Sequence, residues 1–171
     1  MMGIFKSLWY LFRNFSVIHS SFKHGKNFKM GYFNRIEKDV IIGNKVDIQN
    51  FVLLKKNTVI GDNVYVDSYF RSSGDNCIGN NVTLRFGSTI ARKVYIGNNV
   101  FISPNVMSIY SKHTGEKSEG TYIEDEAFIG TAAVLGPNIR VGKNVTIGSM
   151  AYVSKDCLEE GIYVGIPAKK L

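Results

Sequence analysis

Residues 78–102 read IGNNVTLRFGSTIARKVYIGNNVFI, and an aliphatic residue stands at every sixth position of this stretch. The spacing of six continues in both directions. Ten of the twelve positions from Ile42 to Ser108 obey it, and so do all six from Ile123 to Val153. Because the apolar spacing of an α-helix is about 3.6, a helix cannot keep this period for so long. The repeat therefore decides the fold before any other feature does.

Every third hexad opens alike, so the full repeat has eighteen residues. The openings are IGNKV at Ile42, IGDNV at Ile60, IGNNV at Ile78 and at Ile96, and VGKNV at Val141. Gly, Asn and Asp tolerate the left-handed backbone angles that tight corners need. Three short extended sides and three such corners predict a triangular solenoid. About six coils spaced about 4.8 Å apart would form a prism on the order of 30 Å tall.

The composition fits one domain with a real core, since 44% of the 171 residues are hydrophobic and 20% are charged. The net charge of +7 favours an anionic partner without choosing among nucleic acid, coenzyme phosphates, acidic glycan and membrane. Cys77 and Cys157 lack metal-ligand spacing, which predicts unpaired thiols in a reducing compartment.

The period breaks once, because Ile96 and Ile123 lie 27 residues apart, which is one coil plus nine residues. The extra residues predict a loop near 109–122, with the polar sequence SKHTGEKSEG at 111–120. A long loop on a rigid scaffold commonly carries function. On composition alone, His113 in this loop fits a solvated histidine and a catalytic base equally well.

The repeats resemble those of the hexapeptide-repeat acyltransferases, especially the maltose and galactoside O-acetyltransferases and the bacterial polysaccharide O-acetyltransferases. The resemblance rests on FISPNV at 101–106, on FIG at 128–130 and on GIYVGIPAKKL at 161–171. It implies an all-β fold: a left-handed parallel β-helix, a triangular prism of 18-residue coils, with a short N-terminal helix and an extended active-site loop.

This resemblance divides the chain into three segments. We expect a helix or cap over 1–29, the β-helix over 30–157 and a coenzyme-binding tail over 158–171. The resemblance also implies a homotrimer, with coenzyme and acceptor in the cleft between neighbouring prisms.

The resemblance implies a catalytic role for His113, which stands seven residues after the valine of FISPNV. Its imidazole, with an unperturbed pKa near 6.5, would take the proton of an acceptor hydroxyl or amine, and the acceptor would attack acetyl-CoA directly. The backbone N–H of Thr131 would bind the oxyanion. Arg85 and Asn105 are assigned to the acceptor. LRFG at 84–87 departs from the A-N-F-N of the galactoside enzymes, so the acceptor stays open and a merely solvated Arg85 is equally supported.

The resemblance also implies acetyl-CoA as co-substrate, with no metal. Small residues let pantetheine approach the backbone, and lysine supplies charge to phosphate. The residues assigned to the coenzyme are Thr131, Gly148, Ser149, Ser154, Lys155, Gly165, Pro167 and Lys169. Met150 stands where the family has a small residue, and it would narrow the groove.

Residues Ile4, Leu8, Leu11, Phe12 and Phe15 recur at helical spacing and predict a short amphipathic helix. Two interpretations stay open. The helix covers the open end of the first coil, or residues 2–18 form a peripheral contact with a membrane, at its inner face for a cytoplasmic enzyme.

The function expected from these features is CoA-dependent acetyl transfer to a sugar hydroxyl, in the synthesis of capsule, lipopolysaccharide or another glycan. Amino-sugar N-acetylation is the alternative, followed by xenobiotic acetylation and by a non-catalytic binding solenoid. The zinc carbonic anhydrases built on this prism need three histidine ligands, and two of the three histidines, His19 and His24, precede the repeats counted here. We expect no nucleic-acid partner.

Overall fold

The structure, a computed structural model, describes residues 2–111, 115 and 119–171. Helix α1 spans Met2–Asn14, and short strands follow it. In chain order the strands are β1 Val17–Ile18, β2 Lys23–His24, β3 Lys29–Met30, β4 Arg35–Ile36, β5 Ile41–Ile42, β6 Asp47–Ile48, β7 Leu53–Leu54, β8 Val59–Ile60, β9 Tyr65–Val66, β10 Arg71–Ser72, β11 Cys77–Ile78, β12 Thr83–Leu84, β13 Thr89–Ile90, β14 Val94–Ile96, β15 Phe101–Ile102, β16 Met107–Ser108, β17 Thr121–Ile123, β18 Phe128–Ile129, β19 Val134–Leu135, β20 Arg140–Val141, β21 Val145–Ile147, β22 Tyr152–Val153, β23 Gly161–Val164 and β24 Lys169–Lys170.

The strands form three parallel sheets, which are the three sides of a solenoid. Side A contains every third strand from β1 to β22, side B those from β2 to β20, and side C those from β3 to β21 together with β23 and β24. The register is eighteen residues, as in the pairing of Arg71 with both Leu53 and Thr89. Within the described chain only β23 and β24 pair antiparallel. The predicted fold class, a parallel β-helix of the left-handed hexapeptide type, is confirmed.

The second residue of each two-residue strand from β1 to β22 points inward, and these residues stack into the core. Leu54, Leu84, Ile102 and Ile129 are completely buried. Along the corner between sides B and C, Asn and Asp side chains stabilise the turns. Asn44 N–H donates to Asp62 Oδ1 at 2.7 Å, and Asp62 N–H donates to Asn80 Oδ1 at 2.7 Å. The corners therefore bind one coil to the next.

The solenoid has about eight coils, so the predicted six was too few. It begins at Val17, where β1 pairs with β4, and not at residue 30. The early coils were missed because His24 and Met30 take the inward position, where later coils have aliphatic residues. At the other end β23 pairs with β21, so part of the expected tail continues side C.

The 27-residue coil is confirmed, since Ile96 pairs with Ile123. Ile109 N–H donates to Leu135 O at 2.9 Å and Thr121 N–H to Lys93 O at 3.0 Å. These bonds mark where the chain leaves the solenoid after side A and where it returns to side B. The loop between them falls within the predicted range.

Helix α1 contacts the first coil through Tyr10 and Asn14, which are both buried. The Tyr10 hydroxyl lies 3.3 Å from His24 Nε2, and Asn14 Nδ2 donates to the carbonyls of Met30 and Gly31 at 3.0 and 3.1 Å. The helix thus covers the end of the prism, as the first interpretation holds. Among the described residues, no helix has the length and apolarity needed to cross a membrane.

Candidate active site

One corner of the prism, between sides C and A, collects several of the predicted site residues. We call it the C–A corner. Successive coils are joined there by backbone bonds: Asn105 N–H to Phe86 O at 2.9 Å, Ala132 N–H to Pro104 O at 3.0 Å and Met150 N–H to Thr131 O at 2.9 Å. Pro104, Thr131 and Ser149 therefore lie in one row of equivalent positions, about 4.8 Å apart from coil to coil, and Asn105 directly follows Pro104 at the start of this row.

Asn105 owes its position to a glycine on the preceding coil. Gly87 has a φ of 68°, and a Cβ built on it would lie 2.6 Å from Asn105 Oδ1. The Asn105 amide therefore occupies the space that a side chain at 87 would fill. This amide is exposed and makes no hydrogen bond within the described chain, so it is open to an acceptor.

Thr131 presents a backbone donor without a partner. Its neighbours donate within the solenoid, Gly130 N–H to Ile147 O at 2.7 Å and Ala132 N–H to Pro104 O at 3.0 Å, whereas the Thr131 N–H donates to no atom of the described chain. The residue is exposed at the corner. A fixed, unpaired N–H suits the oxygen of a tetrahedral intermediate, where charge develops.

Arg85 is partly exposed and held by a carboxylate of the preceding coil. Its Nε lies 3.4 Å from Asp67 Oδ2, and Asp67 Oδ1 accepts the N–H of Ser68 at 2.8 Å. Since a guanidinium has five N–H donors, an anchor at Nε leaves others for an anionic group. Asp67 was missed in the sequence, although its spacing of eighteen from Arg85 places the two residues on neighbouring coils.

The C-terminal segment folds back onto the C–A corner. Tyr152 N–H donates to Gly165 O at 3.0 Å, and Ala168 N–H donates to Tyr152 O at 2.7 Å. Gly165, Pro167 and Lys169 are thereby brought beside the last coil, near Ser149. Met150 is strongly exposed there, with a φ of 61°.

Gly148 has a packing role besides the predicted one. A Cβ on it would lie 2.7 Å from Val164 Cγ1, so the glycine admits strand β23. The assignment of Gly148 to the coenzyme stays a prediction.

The remaining two coenzyme residues, Ser154 and Lys155, do not join this row. They follow β22 and lie at the corner between sides A and B, which we call the A–B corner. Lys155 and Lys169 are exposed and make no ion pair among the described residues, whereas Lys170 Nζ lies 3.0 Å from Glu159 Oε2. Lys155 and Lys169 are thus the cations open to phosphate in this region.

His113 lies outside the described residues, so its role stays a prediction. The described ends of its loop, at Ile109 and Thr121, lie at the A–B corner. Asn105 and Ile109 are four residues apart across side A, or about 13 Å of extended chain. Within one chain, the base of the loop and the row of Asn105 and Thr131 therefore lie on opposite edges of side A.

The cysteines are unpaired, as predicted. Burial raises the pKa of the Cys157 thiol, which keeps it protonated and unsuited to nucleophilic catalysis. Within residues 2–111 and 119–171, no three His, Cys, Asp or Glu side chains group as a metal site.

Comparison with known proteins agrees with this architecture. Residues 120–155, which carry Thr131 and Ser149, match the family described as bacterial transferase hexapeptide (six repeats). The resemblance stated from the repeats is confirmed by this match and by similarity to a galactoside O-acetyltransferase. The chain is 28% identical over 83 residues to the galactoside O-acetyltransferase of Lactococcus lactis, a match that covers 43% of this chain and 40% of that protein. The matched part thus spans less than half of the relative's length.

Two solved structures share the fold. The UDP-N-acetylglucosamine acyltransferase of Arabidopsis superposes with a TM-score of 0.75 at 16% identity, over 91% of this chain and 65% of that one. The N-acyltransferase AntD of Bacillus cereus, in complex with dTDP and 3-hydroxybutyryl-CoA, superposes with a TM-score of 0.60 at 19% identity, over 97% of this chain and 86% of that one. At these identities the likeness concerns the fold alone.

Proposed function

We propose that this chain is a CoA-dependent acetyltransferase that transfers an acetyl group to a sugar hydroxyl in glycan synthesis. The observation that carries the proposal is the unpaired N–H of Thr131 in the exposed row between Asn105 and Ser149. The family match over 120–155 and the galactoside O-acetyltransferase relative support the same class of reaction.

In the proposed mechanism the imidazole of His113 takes the proton of the acceptor hydroxyl. The hydroxyl oxygen then attacks the thioester carbon, and the Thr131 N–H donates to the carbonyl oxygen as it gains charge. When the C–S bond breaks, the imidazolium returns the proton to the sulfur, which leaves a sugar ester and free CoA. Lys155 and Lys169 would bind the coenzyme phosphates, and Asn105 would orient the acceptor.

We further propose that a second copy of the chain completes the site, because in one chain the base of the loop, at Ile109 and Thr121, and the Thr131 row lie on opposite edges of side A. A homotrimer, with its three sites between neighbours, would bring the loop of one copy to the row of the next. Side B offers an apolar surface for such contacts. Its outward residues Ile41, Val59, Tyr95 and Tyr122 are all exposed, and the last two stack at 4.8 Å.

Amino-sugar N-acetylation is the second candidate, because the LRFG segment at 84–87 differs from the asparagine-containing segment of the galactoside enzymes. The same base and the same oxyanion donor serve an amine.

The test is acetyl transfer from radiolabelled acetyl-CoA to a panel of sugars and nucleotide sugars. We expect a product whose label hydroxylamine removes, which is the property of an ester. A label that resists hydroxylamine would assign N-acetylation instead. If no sugar of the panel is labelled, while a control acetyltransferase labels its own acceptor, the proposal is wrong.

A further inference from the structure

Helix α1 leaves most of its apolar face exposed to solvent. Counting about 100° per residue, Leu8, Leu11 and three aromatic residues span about 160° of its surface, opposite to the buried pair Tyr10 and Asn14. The three aromatic residues are Phe5, Trp9 and Phe12, with exposed fractions of 69%, 49% and 78%. A cap that served only the fold would bury this stripe. The stripe is therefore left for something outside the chain.

An exposed row of rings continues from the end of the helix along the C–A corner. Phe15, Phe33, Phe51 and Tyr69 stack in sequence, with centroid distances of 5.7, 5.2 and 5.0 Å. All four have φ between 52° and 63°, where a bulky residue is uncommon and costs energy. Later coils place Gly87 and Asn105 at this position, which suit it. The backbone geometry of the corner therefore does not explain why aromatic residues stand at these four positions.

The stacking geometry argues against a carbohydrate platform on these rings. Interplanar angles of 18°, 9° and 14° show that each ring face is turned to the next ring. The faces between neighbouring rings are therefore covered, and Phe86 meets Tyr69 edge to face at 5.4 Å, so the row presents an apolar ridge of ring edges and not a platform for a sugar. Such a ridge fits burial in an apolar or interfacial layer.

The entire net charge of the protein lies at the same end. Residues 1–60 contain ten Lys and Arg against three Asp and Glu, whereas residues 61–171 contain eleven of each. The net charge is therefore +7 for residues 1–60 and zero for residues 61–171. On the first coil Lys23, Lys26 and Lys29 are exposed. A basic surface beside an apolar one is the combination that anionic phospholipid attracts.

A groove of about 760 Å³ runs beside the helix, and both apolar and charged side chains line it. Its apolar lining includes Leu8, Leu11 and Ile36. Its charged lining has three cations, Arg35, Lys38 and Lys56, and one carboxylate, Glu37, which lies 3.6 Å from Arg35. The groove could receive part of an acyl chain, with a phosphate beside the cations.

We propose that the N-terminal end of the solenoid docks peripherally on an anionic phospholipid surface. The outer face of α1 and the first rings of the corner row lie in the interfacial layer, and the lysines and arginines of the first coils contact headgroup phosphates. A second copy is a poorer occupant, since a symmetric contact would bring two ends of charge +7 together. The proposal rests on this end of the molecule and does not depend on the acetyl-transfer proposal.

The test is co-sedimentation of the full-length protein with vesicles of phosphatidylglycerol and phosphatidylcholine, and with vesicles of phosphatidylcholine alone. We expect binding to the first kind, weakened by salt. The double substitution Phe5→Ser and Phe12→Ser should lower the partition coefficient at least about tenfold, since each ring contributes buried apolar area. Its matched control is Leu158→Ser with Ile162→Ser, two exposed apolar residues of the opposite end, which should bind as the unsubstituted protein does.

The charge is tested by Lys29→Glu, which we expect to weaken binding about tenfold. Arg71→Glu, on an outward strand position of the neutral part, should have less than a twofold effect. Binding no stronger to anionic than to neutral vesicles would overturn the proposal, and so would equal losses in test and control variants. A lower particle mass of the Phe5/Phe12 variant in light scattering, without loss of vesicle binding, would assign the face to a second copy instead.

Discussion

Thr131→Pro isolates the role of a single hydrogen atom. Proline removes the backbone N–H. At this position the substitution breaks no hydrogen bond of the solenoid, because the Thr131 N–H donates to no atom of the described chain. The preceding coil already has proline at the same place, as the bond from Ala132 N–H to Pro104 O shows. The residue before it, Gly130, tolerates the restriction that proline imposes.

The expected effect on folding is therefore small and its sign is favourable. Proline at a compatible position typically stabilises by about 0.4–1 kcal/mol through the unfolded chain. The expected effect on catalysis is large, since loss of one oxyanion donor typically lowers kcat about 10²- to 10³-fold. The two effects go in opposite directions, which separates catalysis from stability.

The assay is the initial rate of CoA release at saturating acetyl-CoA, together with thermal unfolding of the same samples. Thr131→Ala is the control, since it removes the side chain and keeps the N–H, and we expect it to retain most of the activity. A Thr131→Pro protein that melts at or above the normal temperature and still turns over at a normal rate would refute the oxyanion assignment. Equal losses for both variants would assign the effect to the side chain.

Further predictions concern the base, the coenzyme, the assembly and the corners. His113→Ala should fold normally and lose about 10²- to 10⁴-fold in kcat; normal turnover would contradict its role. Lys155→Ala and Lys169→Ala should each raise KM for acetyl-CoA more than KM for the acceptor, and equal changes in both constants would exclude a phosphate contact. Light scattering should give three times the 19.1 kDa chain mass. Val59→Asp on side B should lower that mass and abolish activity with unchanged circular dichroism, so a fully active monomer would exclude the shared site. Asn80→Ala should cost about 0.5–1.5 kcal/mol in urea unfolding, since the Asp62 N–H loses its acceptor; Asn80→Asp, which keeps an oxygen there, should cost less.

The sequence predicts the coils from Ile42 onward because their inward positions accept only residues that can be buried in a narrow prism. It fails at the first coil, where His24 takes an inward position. The histidine is tolerated there because the end of the prism is not closed by another coil, and Tyr10 of the helix supplies a hydroxyl to its ring. Patterns of apolar residues do not show such a local polar contact.

The candidate site was predictable in part. The positions of Asn105 and Thr131 follow from motifs, but the unpaired N–H of Thr131 belongs to the backbone and appears only when all neighbouring bonds are known. The difference between Lys169 and Lys170 likewise appears only in the structure. Adjacent lysines look equivalent in the sequence, whereas only Lys170 faces Glu159.

The residue type at the left-handed position of the C–A corner changes once along the prism axis. This change separates the surface proposed for lipid from the surface proposed for the acceptor. From Phe15 to Tyr69 its left-handed position holds aromatic residues, and from Gly87 onward it holds small, polar or flexible ones. Tyr69 still meets the ring of Phe86 edge to face at 5.4 Å, but the Asn105 amide fills the space above Gly87, so the left-handed position of that coil cannot hold a ring without displacing a site residue. A surface that docks on lipid and a surface that binds a polar acceptor can therefore share one corner without competing for the same coils. In this arrangement the acceptor row begins directly beyond the last ring, on the side away from the basic end.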